Sequence, residues 1–283
     1  MKKVKILQGS CIDKIKELED NSIDCVVSSP PYFGLRDYGV DEQFGLEKTY
    51  QDYLANTVKV FETFKPKLKD TATIWWNVGD SYHRNGSDQP LQKGLLNKEN
   101  INNRYGWDKK HKAKTKDFKP KDLMMIPNRV AIALQDAGWY IRSEIIWNKP
   151  NPMPESVKDR PTSCHEKIWL ITKNKKYFYD TEAIKEPCVT NDDTMKNKRN
   201  VWTVNTKPFK GAHFATFPKD LIEPCIKAGC PEGGVVLDPF GGSGTTGIVS
   251  ALNNRNAVLI ELNTEYVKIA EKRIENELGL FNS

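Results

Sequence analysis

One unit near the C-terminal end constrains the fold of this chain more than any other segment. The apolar run VVLD predicts a strand over 235–238, and the glycine-rich turn that follows lies within LDPFGGSGTTG (237–247). The pattern then predicts a helix over 245–252, a strand over 257–262 and a helix over 265–277. Strands that alternate with helices and carry apolar runs indicate a parallel sheet covered on both faces. We therefore expect an α/β fold with a mainly parallel, doubly wound sheet.

The rest of the chain carries strand and helix patterns that fit the same sheet. We predict strands over 4–8, 23–27, 71–80, 140–149 and 166–174, and helices over 50–64, 126–139 and 217–229. His165 and Glu166 lie at the start of the last predicted strand, over 166–174. Such a pair more often has a structural, hydrogen-bonded role than a catalytic one. Residues 180–212 are polar and predict irregular structure.

The glycines of the turn fit the spacing of a nucleotide-binding loop. Gly242, Gly244 and Gly247 match G-x-G-x-x-G, where glycine lets a ligand approach the backbone at the start of a helix. A tight turn without a ligand would use the same glycines, but Glu261 also stands where an acidic side chain binds ribose hydroxyls. Asp238, just before the glycines, would repel a pyrophosphate and attract a cationic amine. We therefore favour S-adenosylmethionine as the cofactor over NAD.

A stiff corner follows the second predicted strand. Ser29, Pro30, Pro31 and Tyr32 come directly after the strand-like stretch 23–28. Both prolines fix φ at about −65° and carry no N–H, and Pro30 keeps Ser29 out of the helical region. Such a corner gives up sheet hydrogen bonds, which indicates a structural or chemical reason for its rigidity.

The positive charge of the chain is concentrated in one segment. The net charge is +6, and residues 84–122 hold eleven Lys or Arg and five Asp or Glu, which accounts for the whole excess. A charge run such as KKHKAKTK (109–116) is often a solvated loop, but aromatic residues interleave with it, and rings can stack on bases while lysines reach phosphates. We predict that this segment contacts nucleic acid through Lys109, Lys110, Lys112, Lys114, Lys116 and Trp107.

Bulk properties argue against several other classes of protein. The six cysteines form no Cys-x-x-Cys pair, so we expect reduced thiols and no metal site. No apolar run reaches the roughly 18 residues of a membrane span, and the first residues lack the apolar stretch of a secretion signal. We therefore expect a cytoplasmic protein without a membrane segment.

The proline corner and the glycine-rich turn, in this order, resemble the beta class of DNA amino-methyltransferases, which carry the catalytic motif first and the cofactor motif last. The segments HEKIWLITK (165–173), NVWTV (200–204) and HFATFPKDLIEPCIKAG (213–229) are similar to connecting segments of that class. The resemblance implies a Rossmann-like methyltransferase fold with permuted motif order and irregular inserts for target recognition. It also implies double-stranded DNA as the substrate, flipping of the target base, S-adenosylmethionine as the methyl donor, and a cognate restriction enzyme as a candidate partner.

The resemblance assigns a role to each residue of the corner. The Ser29 hydroxyl and the Pro30 carbonyl would each accept one N–H of the exocyclic amine of the target base. Pro31 would help to hold these acceptors rigid, and Tyr32 would stack on the base.

The resemblance also assigns the cofactor site. Asp238 would bind the methionine amine of S-adenosylmethionine, and Phe240 would lie against the cofactor. The remaining cofactor-binding residues would shape the pocket, bind the ribose or form the wall beside the methionine moiety: Gly242, Gly244, Thr245, Glu261, Phe217 and Pro218.

These assignments divide the chain and leave some functions open. We expect the catalytic domain at 1–83, 123–180 and 213–283, a basic DNA-contacting insert at 84–122, and a candidate target-recognition segment at 181–212. In the class that the chain resembles, serine at the first position of the corner is typical of cytosine-N4 enzymes, so the resemblance implies cytosine-N4 methylation, with adenine-N6 as the alternative. An NAD-dependent oxidoreductase, a catalytically silent DNA-binding protein, and a methyltransferase acting on RNA or protein glutamine are the competing hypotheses.

Overall fold

The computed structural model describes residues 4–35, 43–83, 117–188, 194–207 and 217–279. Its strands are β1 (Val4–Gln8), β2 (Ile23–Ser28), β3 (Leu68–Val78), β4 (Tyr140–Asn148), β5 (His165–Thr172), β6 (Glu186–Pro187), β7 (Met195–Lys196), β8 (Val201–Thr203), β9 (Val235–Asp238) and β10 (Asn256–Glu261). Its α-helices are α1 (Cys11–Lys16), α2 (Tyr50–Phe64), α3 (Ile126–Asp136), α4 (Lys219–Gly229), α5 (Thr245–Leu252) and α6 (Thr264–Gly279). Within these ranges, no helix has the length and apolar character needed to cross a membrane.

Eight of the strands form one sheet in the order β1-β10-β9-β2-β3-β5-β4-β8. Strand β5 runs antiparallel to both of its neighbours, and the other neighbouring pairs are parallel. The prediction of a mainly parallel α/β sheet is confirmed. Because these strands share one direction, the C-terminal ends of β9, β2, β3 and β4 lie at a single edge, and β5 brings its N-terminal end to that edge. Ligands of open α/β sheets bind at this kind of edge.

Alternate residues of the central strands face two separate apolar layers. In β2, Val26 packs in the layer that contains α2 and α3, whereas Cys25 and Val27 pack in the layer that contains α4. In β9, Leu237 and Val236 alternate in the same way. All six residues of β2 are buried, as expected for a strand with helices on both faces. The two layers therefore hold the ends of β2 and β9 in fixed positions.

Three short strands depart from the prediction of irregular structure over 180–212: β6 and β7 pair with each other, and β8 joins the main sheet. Strand β8 pairs in parallel with β4, with Trp202 opposite Trp147, and the Trp202 ring lies 6.3 Å from the ring of Trp75. The prediction was wrong here because a three-residue strand is too short to show an alternating pattern. Part of the candidate target-recognition segment thus belongs to the main sheet.

Candidate active site

The proline corner and the glycine-rich turn meet at the edge of the sheet. Strands β2 and β9 are parallel neighbours, with Cys25 opposite Val236, and each motif begins where its strand ends. The Ser28 hydroxyl donates a hydrogen bond of 2.6 Å to Oδ1 of Asp238, across 210 residues of sequence. This contact ties the last residue of β2 to the last residue of β9, so the two motifs are side by side.

The Asp238 carboxylate is directed into the protein. Its Oδ2 accepts a hydrogen bond of 2.6 Å from Oγ1 of Thr246, and its Oδ1 accepts a second one, of 3.1 Å, from the Phe240 backbone N–H. The side chain is 2 % exposed, and burial raises the pKa of this carboxyl above its ordinary value. Asp238 therefore anchors the start of the turn, and binding of the methionine amine would add a further donor to oxygens that already accept three hydrogen bonds.

Glu261 fixes the middle of the turn. Its Oε2 accepts a hydrogen bond of 2.8 Å from the Gly242 N–H, and its Oε1 accepts one of 2.8 Å from the Asn263 N–H. Burial raises the pKa of the Glu261 carboxyl. Each oxygen retains a lone pair, so the predicted contact with ribose hydroxyls is compatible with this arrangement.

The glycines of the turn serve different purposes. A Cβ on Gly241 would lie 2.9 Å from the Cβ of Leu259, and one on Gly247 would lie 2.7 Å from Cγ1 of Val4, so both positions require glycine for close packing. Gly242 has a φ of +50°, and a Cβ there would meet only the Phe240 carbonyl, at 3.9 Å. The backbone of Gly242 thus faces open space, where a ligand can approach it closely.

Arg273 of α6 clamps the end of the turn. One guanidinium nitrogen donates hydrogen bonds to the Ser243 hydroxyl at 2.9 Å and to the Thr245 hydroxyl at 2.8 Å. Arg273 was not predicted as a site residue from the sequence, because it lies in a helix that begins 19 residues after Thr245. The clamp fixes the N-terminal end of α5, the end that favours a negative or polar ligand group.

The other predicted cofactor residues flank the same edge. The Phe240 ring lies 5.2 Å from the ring of Phe44 and 6.0 Å from the ring of Trp76. Phe217 packs against the apolar layer that contains α4, and Pro218 is buried at the N-terminal end of α4. The rings of Phe240, Phe44 and Trp76 form an aromatic wall on one side of the turn, and its contact with the cofactor stays a prediction.

Helix α2 contacts the proline corner through a hydrogen bond. The Tyr53 hydroxyl donates a hydrogen bond of 3.2 Å to the Pro31 carbonyl. Among the residues that the structure describes, none donates a hydrogen bond to the Pro30 carbonyl. Within the described ranges, the corner therefore has one carbonyl that accepts a hydrogen bond, that of Pro31, and one that accepts none, that of Pro30.

Tyr32 connects the corner to the neighbouring strands through its hydroxyl. The Ser29 hydroxyl donates to the Tyr32 oxygen at 3.1 Å, and the Tyr32 hydroxyl in turn contacts Oε2 of Glu166 at 2.6 Å and Oδ1 of Asn77 at 3.1 Å. The ring lies over Gly79, where a Cβ would come within 2.5 Å of Cε2 of the tyrosine. Burial, with a contribution from the nearby Glu166 carboxylate, raises the pKa of Tyr32 well above its ordinary value. Tyr32 is therefore a neutral hydroxyl at physiological pH.

Three residues of this network were not predicted as site residues from the sequence. Asn77 lies near the C-terminal end of β3, Lys149 follows β4, and Glu166 lies at the start of β5. The Lys149 ammonium pairs with Oε1 of Glu166, and the two side chains are 17 % and 16 % exposed. In the sequence, the only signal for this network was the neighbouring pair His165 and Glu166 at the start of β5. That Glu166 lies close to the corner depends on the antiparallel direction of β5.

The residues predicted to contact DNA lie outside the described part of the chain. They are Lys109, Lys110, Lys112, Lys114, Lys116 and Trp107. Their role stays a prediction.

Comparison with known proteins gives the family. Residues 23–272 match the N6/N4 methyltransferase family model, which is described as DNA methylase. This chain belongs to that DNA methylase family. The DNA methylase is 48 % identical to the type II methyltransferase M.XycI of Xanthomonas campestris pv. cyanopsidis over 280 residues, which cover 96 % of this chain and 88 % of the relative. It is 46 % identical to the type II methyltransferase M.SmaI of Serratia marcescens over 275 residues, which cover 97 % of this chain and 91 % of the relative.

Solved structures agree with the fold. The DNA methylase superposes on the PvuII DNA methyltransferase (cytosine-N4-specific) with a TM-score of 0.70 at 19 % identity, covering 99 % of this chain and 92 % of the other. It superposes on the complex of M1.HpyAVI with SAM with a TM-score of 0.56 at 18 % identity, covering 95 % and 98 % of the two chains. The protein is a DNA methyltransferase of the N4/N6 class, whose methyl donor is S-adenosylmethionine. The open space at Gly242 and the aromatic wall at Phe240 fit this cofactor.

Proposed function

We propose that this methyltransferase transfers a methyl group to the N4 amine of a cytosine that is flipped out of double-stranded DNA. The observation that carries the proposal is the Ser29 hydroxyl, which contacts Tyr32 and directly follows the residue that joins β2 to the start of the glycine-rich turn. Its proton is engaged by the Tyr32 oxygen, so its lone pairs are free to accept a hydrogen bond from a substrate. S-adenosylmethionine, when bound along the turn at Gly242 and Gly244, supplies an electrophilic methyl group.

The corner activates a poor nucleophile. The lone pair of an exocyclic amine is delocalised into the base, which weakens its attack on the methyl donor. The Ser29 oxygen and the Pro30 carbonyl each accept one N–H, and two acceptors in fixed directions favour a tetrahedral nitrogen with a localised lone pair. This is positioning combined with electrostatic preorganisation. The prolines add rigidity and no competing donor.

The target base has to leave the duplex to reach this corner. Its exocyclic amine is stacked and paired inside DNA, so an enzyme that modifies it extrudes the nucleotide into a pocket. The ring of Tyr32 and the neighbouring aromatic residues offer apolar surface for an extruded base at the same edge of the sheet.

Two observations favour cytosine over adenine. Serine is a neutral hydroxyl and a weaker acceptor than aspartate, and the resemblance associates aspartate or asparagine at this position with adenine-N6 enzymes. The PvuII DNA methyltransferase, a cytosine-N4-specific enzyme with the same fold, supports the same choice. The names of the relatives, type II methyltransferases, support a restriction endonuclease of matching specificity as a partner.

Nucleoside analysis tests the proposal. Purified protein is incubated with tritiated S-adenosylmethionine and genomic DNA from a host without DNA methylation, and the DNA is then hydrolysed to nucleosides. We expect the label in N4-methylcytosine. Label in N6-methyladenine would show that the target base is adenine and would overturn the choice of cytosine. Absence of any labelled nucleoside, with folded protein that binds the cofactor, would overturn the proposal.

The basic insert supplies a separate prediction about DNA affinity. Changing Lys109, Lys110, Lys112, Lys114 and Lys116 together to glutamine should weaken DNA binding uniformly across sequences. The slope of log affinity against log salt should become shallower by up to about 4.5, because each of the five lost phosphate contacts contributes about 0.9. Fluorescence anisotropy at several salt concentrations measures this slope.

Two exposed lysines provide the control for this experiment. Lys175 and Lys176 follow the C-terminal end of β5, which lies at the opposite edge of the sheet because β5 is antiparallel. Changing both to glutamine should leave the slope of log affinity against log salt within about 0.9 of that of the unmodified protein, the contribution of one phosphate contact. An equal loss in the two variants would contradict a DNA interface in the insert.

A further inference from the structure

The hydrogen bonds of the corner form a chain with one direction. The Tyr32 hydroxyl has a single proton, and two acceptors lie within reach, Oε2 of Glu166 at 2.6 Å and Oδ1 of Asn77 at 3.1 Å. The shorter contact is to a carboxylate, which is the stronger acceptor, so the proton belongs to the bond with Glu166. The Tyr32 oxygen then accepts the proton of Ser29 at 3.1 Å. Every proton in this chain points away from the substrate position and towards Glu166.

Asn77 fixes the geometry without joining the chain as a base. Its Nδ2 donates to the Lys167 carbonyl at 3.1 Å, which sets the orientation of the amide and turns Oδ1 towards Tyr32. An amide oxygen does not take up a proton at physiological pH. Glu166 is thus the group in contact with the Tyr32 hydroxyl that can accept its proton.

Lys149 holds the carboxylate of Glu166 from the far side. Its ammonium pairs with Oε1 of Glu166 and lies 4.3 Å from the centre of the Trp147 ring. The cation stabilises the negative charge of Glu166 and leaves Oε2 for Tyr32. The pair is mostly buried, with 17 % and 16 % of the side chains exposed, so solvent screens it less than a surface pair.

We propose that Glu166 is the terminal proton acceptor of methyl transfer, and that it receives through the hydroxyls of Tyr32 and Ser29 the proton that the methylated amine loses. This inference rests on the proposed function. Glu166 acts through two other side chains and is therefore a positioning and proton-accepting residue rather than one that touches the base.

The step balances in atoms and charge. A nitrogen–carbon bond forms at the base while the carbon–sulfur bond of the methyl donor breaks, and the electron pair of the broken bond stays on sulfur. The nitrogen, now positively charged, gives one N–H proton to the Ser29 oxygen. The Ser29 proton moves to the Tyr32 oxygen, and the Tyr32 proton moves to Oε2 of Glu166. The base ends neutral, Glu166 ends protonated, and its partial exposure lets the proton leave to solvent before the next turnover.

The neutral state of Tyr32 fits this role. Because burial raises the pKa of Tyr32 well above its ordinary value, the hydroxyl gives up its proton only when it receives another from Ser29. The relay therefore depends on the contacts of the Tyr32 hydroxyl with both Ser29 and Glu166.

Glu166→Gln separates proton acceptance from simple orientation. Glutamine has the same shape, and with its single carbonyl oxygen facing the Lys149 ammonium its NH2 group faces the Tyr32 oxygen. The Tyr32 hydroxyl then donates to Oδ1 of Asn77, so Tyr32 stays in place, but glutamine does not take the proton. We expect the single-turnover rate to fall by about 100-fold, a typical contribution of general acid–base catalysis. The KM for DNA and the dissociation constant for S-adenosylmethionine should stay within about threefold, because Glu166 contacts neither.

A second variant and a matched control keep this test decisive. Tyr32→Phe removes the central hydroxyl of the relay. The double variant Tyr32→Phe/Glu166→Gln should be no slower than the slower single variant, because Tyr32 and Glu166 act in the same proton path.

The control variant is Glu144→Gln. It removes a carboxylate on β4 that pairs with Lys167 on β5 and should retain the rate of the unmodified protein. Thermal melting of each variant confirms that it is folded.

The outcomes distinguish this inference from the proposed function. If the unmodified protein labels no DNA, the proposed function itself fails. If it labels DNA and Glu166→Gln does so at a rate within about threefold, or if the losses of the two single variants multiply in the double variant, the proton relay is overturned.

Discussion

Ser29→Ala should lower the rate of methyl transfer by roughly 100- to 1,000-fold, the loss typical of removing one preorganised hydrogen-bonding group from an active site. Alanine cannot accept a hydrogen bond from the amine, and only the Pro30 carbonyl remains to orient it. The change also removes the donor to Tyr32 and so disconnects the substrate from Glu166. A single-turnover assay with saturating S-adenosylmethionine measures the effect directly.

Binding measurements separate this loss from a loss of cofactor. The Ser29 side chain is directed to Tyr32 rather than to the glycine-rich turn, so Ser29→Ala should keep the dissociation constant for S-adenosylmethionine within about threefold. Ser28→Ala is the matched comparison, because the neighbouring side chain points the other way and donates to Asp238. It should reduce stability and cofactor affinity more than the rate of the bound complex. The reverse pattern in these two variants would contradict the assignment of the acceptor.

Asp238→Asn should weaken binding of S-adenosylmethionine by at least tenfold while the protein remains folded, since a charge that attracts the methionine amine is lost (about 1.4 kcal/mol per factor of ten). The asparagine oxygen still accepts from Ser28 and from the Phe240 N–H. Its amide donates to Thr246, whose hydroxyl turns to the Val27 carbonyl 3.5 Å away. The buried network therefore keeps its hydrogen bonds without its charge. Isothermal titration calorimetry gives the affinity.

Asp238→Ala should behave differently, because it removes the acceptor of the Ser28 hydroxyl and of the Phe240 N–H and leaves Thr246 only the more distant Val27 carbonyl. We expect a loss of about 3–5 kcal/mol in the free energy of unfolding, as for removal of one partner of a buried charged network. Asp24→Asn is the control, since Asp24 is a buried carboxylate (6 % exposed) at the other end of β2 and should not change cofactor affinity. Unchanged affinity in Asp238→Asn would remove the amine-binding role and leave Asp238 as an anchor of the turn.

The sequence predicts well those parts of the structure that depend on local pattern. The strand Val235–Asp238 and the helix Thr245–Leu252 were placed at their observed bounds, because a fully buried strand is a continuous apolar run and the glycines mark the turn. Helix Tyr50–Phe64 was likewise placed at its bounds from its apolar spacing. The meeting of the two motifs followed from the parallel sheet, since parallel strands end at the same edge.

The parts that the sequence does not predict depend on contacts between distant strands. The proximity of Glu166 and Lys149 to Tyr32 requires β5 to run antiparallel between β3 and β4, and no local pattern encodes this direction. The inward orientation of Asp238 depends on Ser28 and Thr246, two hydroxyls without any signature of their own. Tyr32 was predicted as a stacking ring, and its buried hydroxyl network adds a role that a motif of four residues does not reveal.

A structure of the protein with a cognate DNA duplex and a non-transferable analogue of S-adenosylmethionine tests the central claim most directly. We expect one extruded base at the C-terminal edge of β2, with its exocyclic nitrogen within hydrogen-bonding distance of the Ser29 oxygen and of the Pro30 carbonyl. The analogue should lie along Gly242 with its transferable position facing that nitrogen. A base that stays in the duplex, or a base and an analogue bound at separate places, would contradict the account.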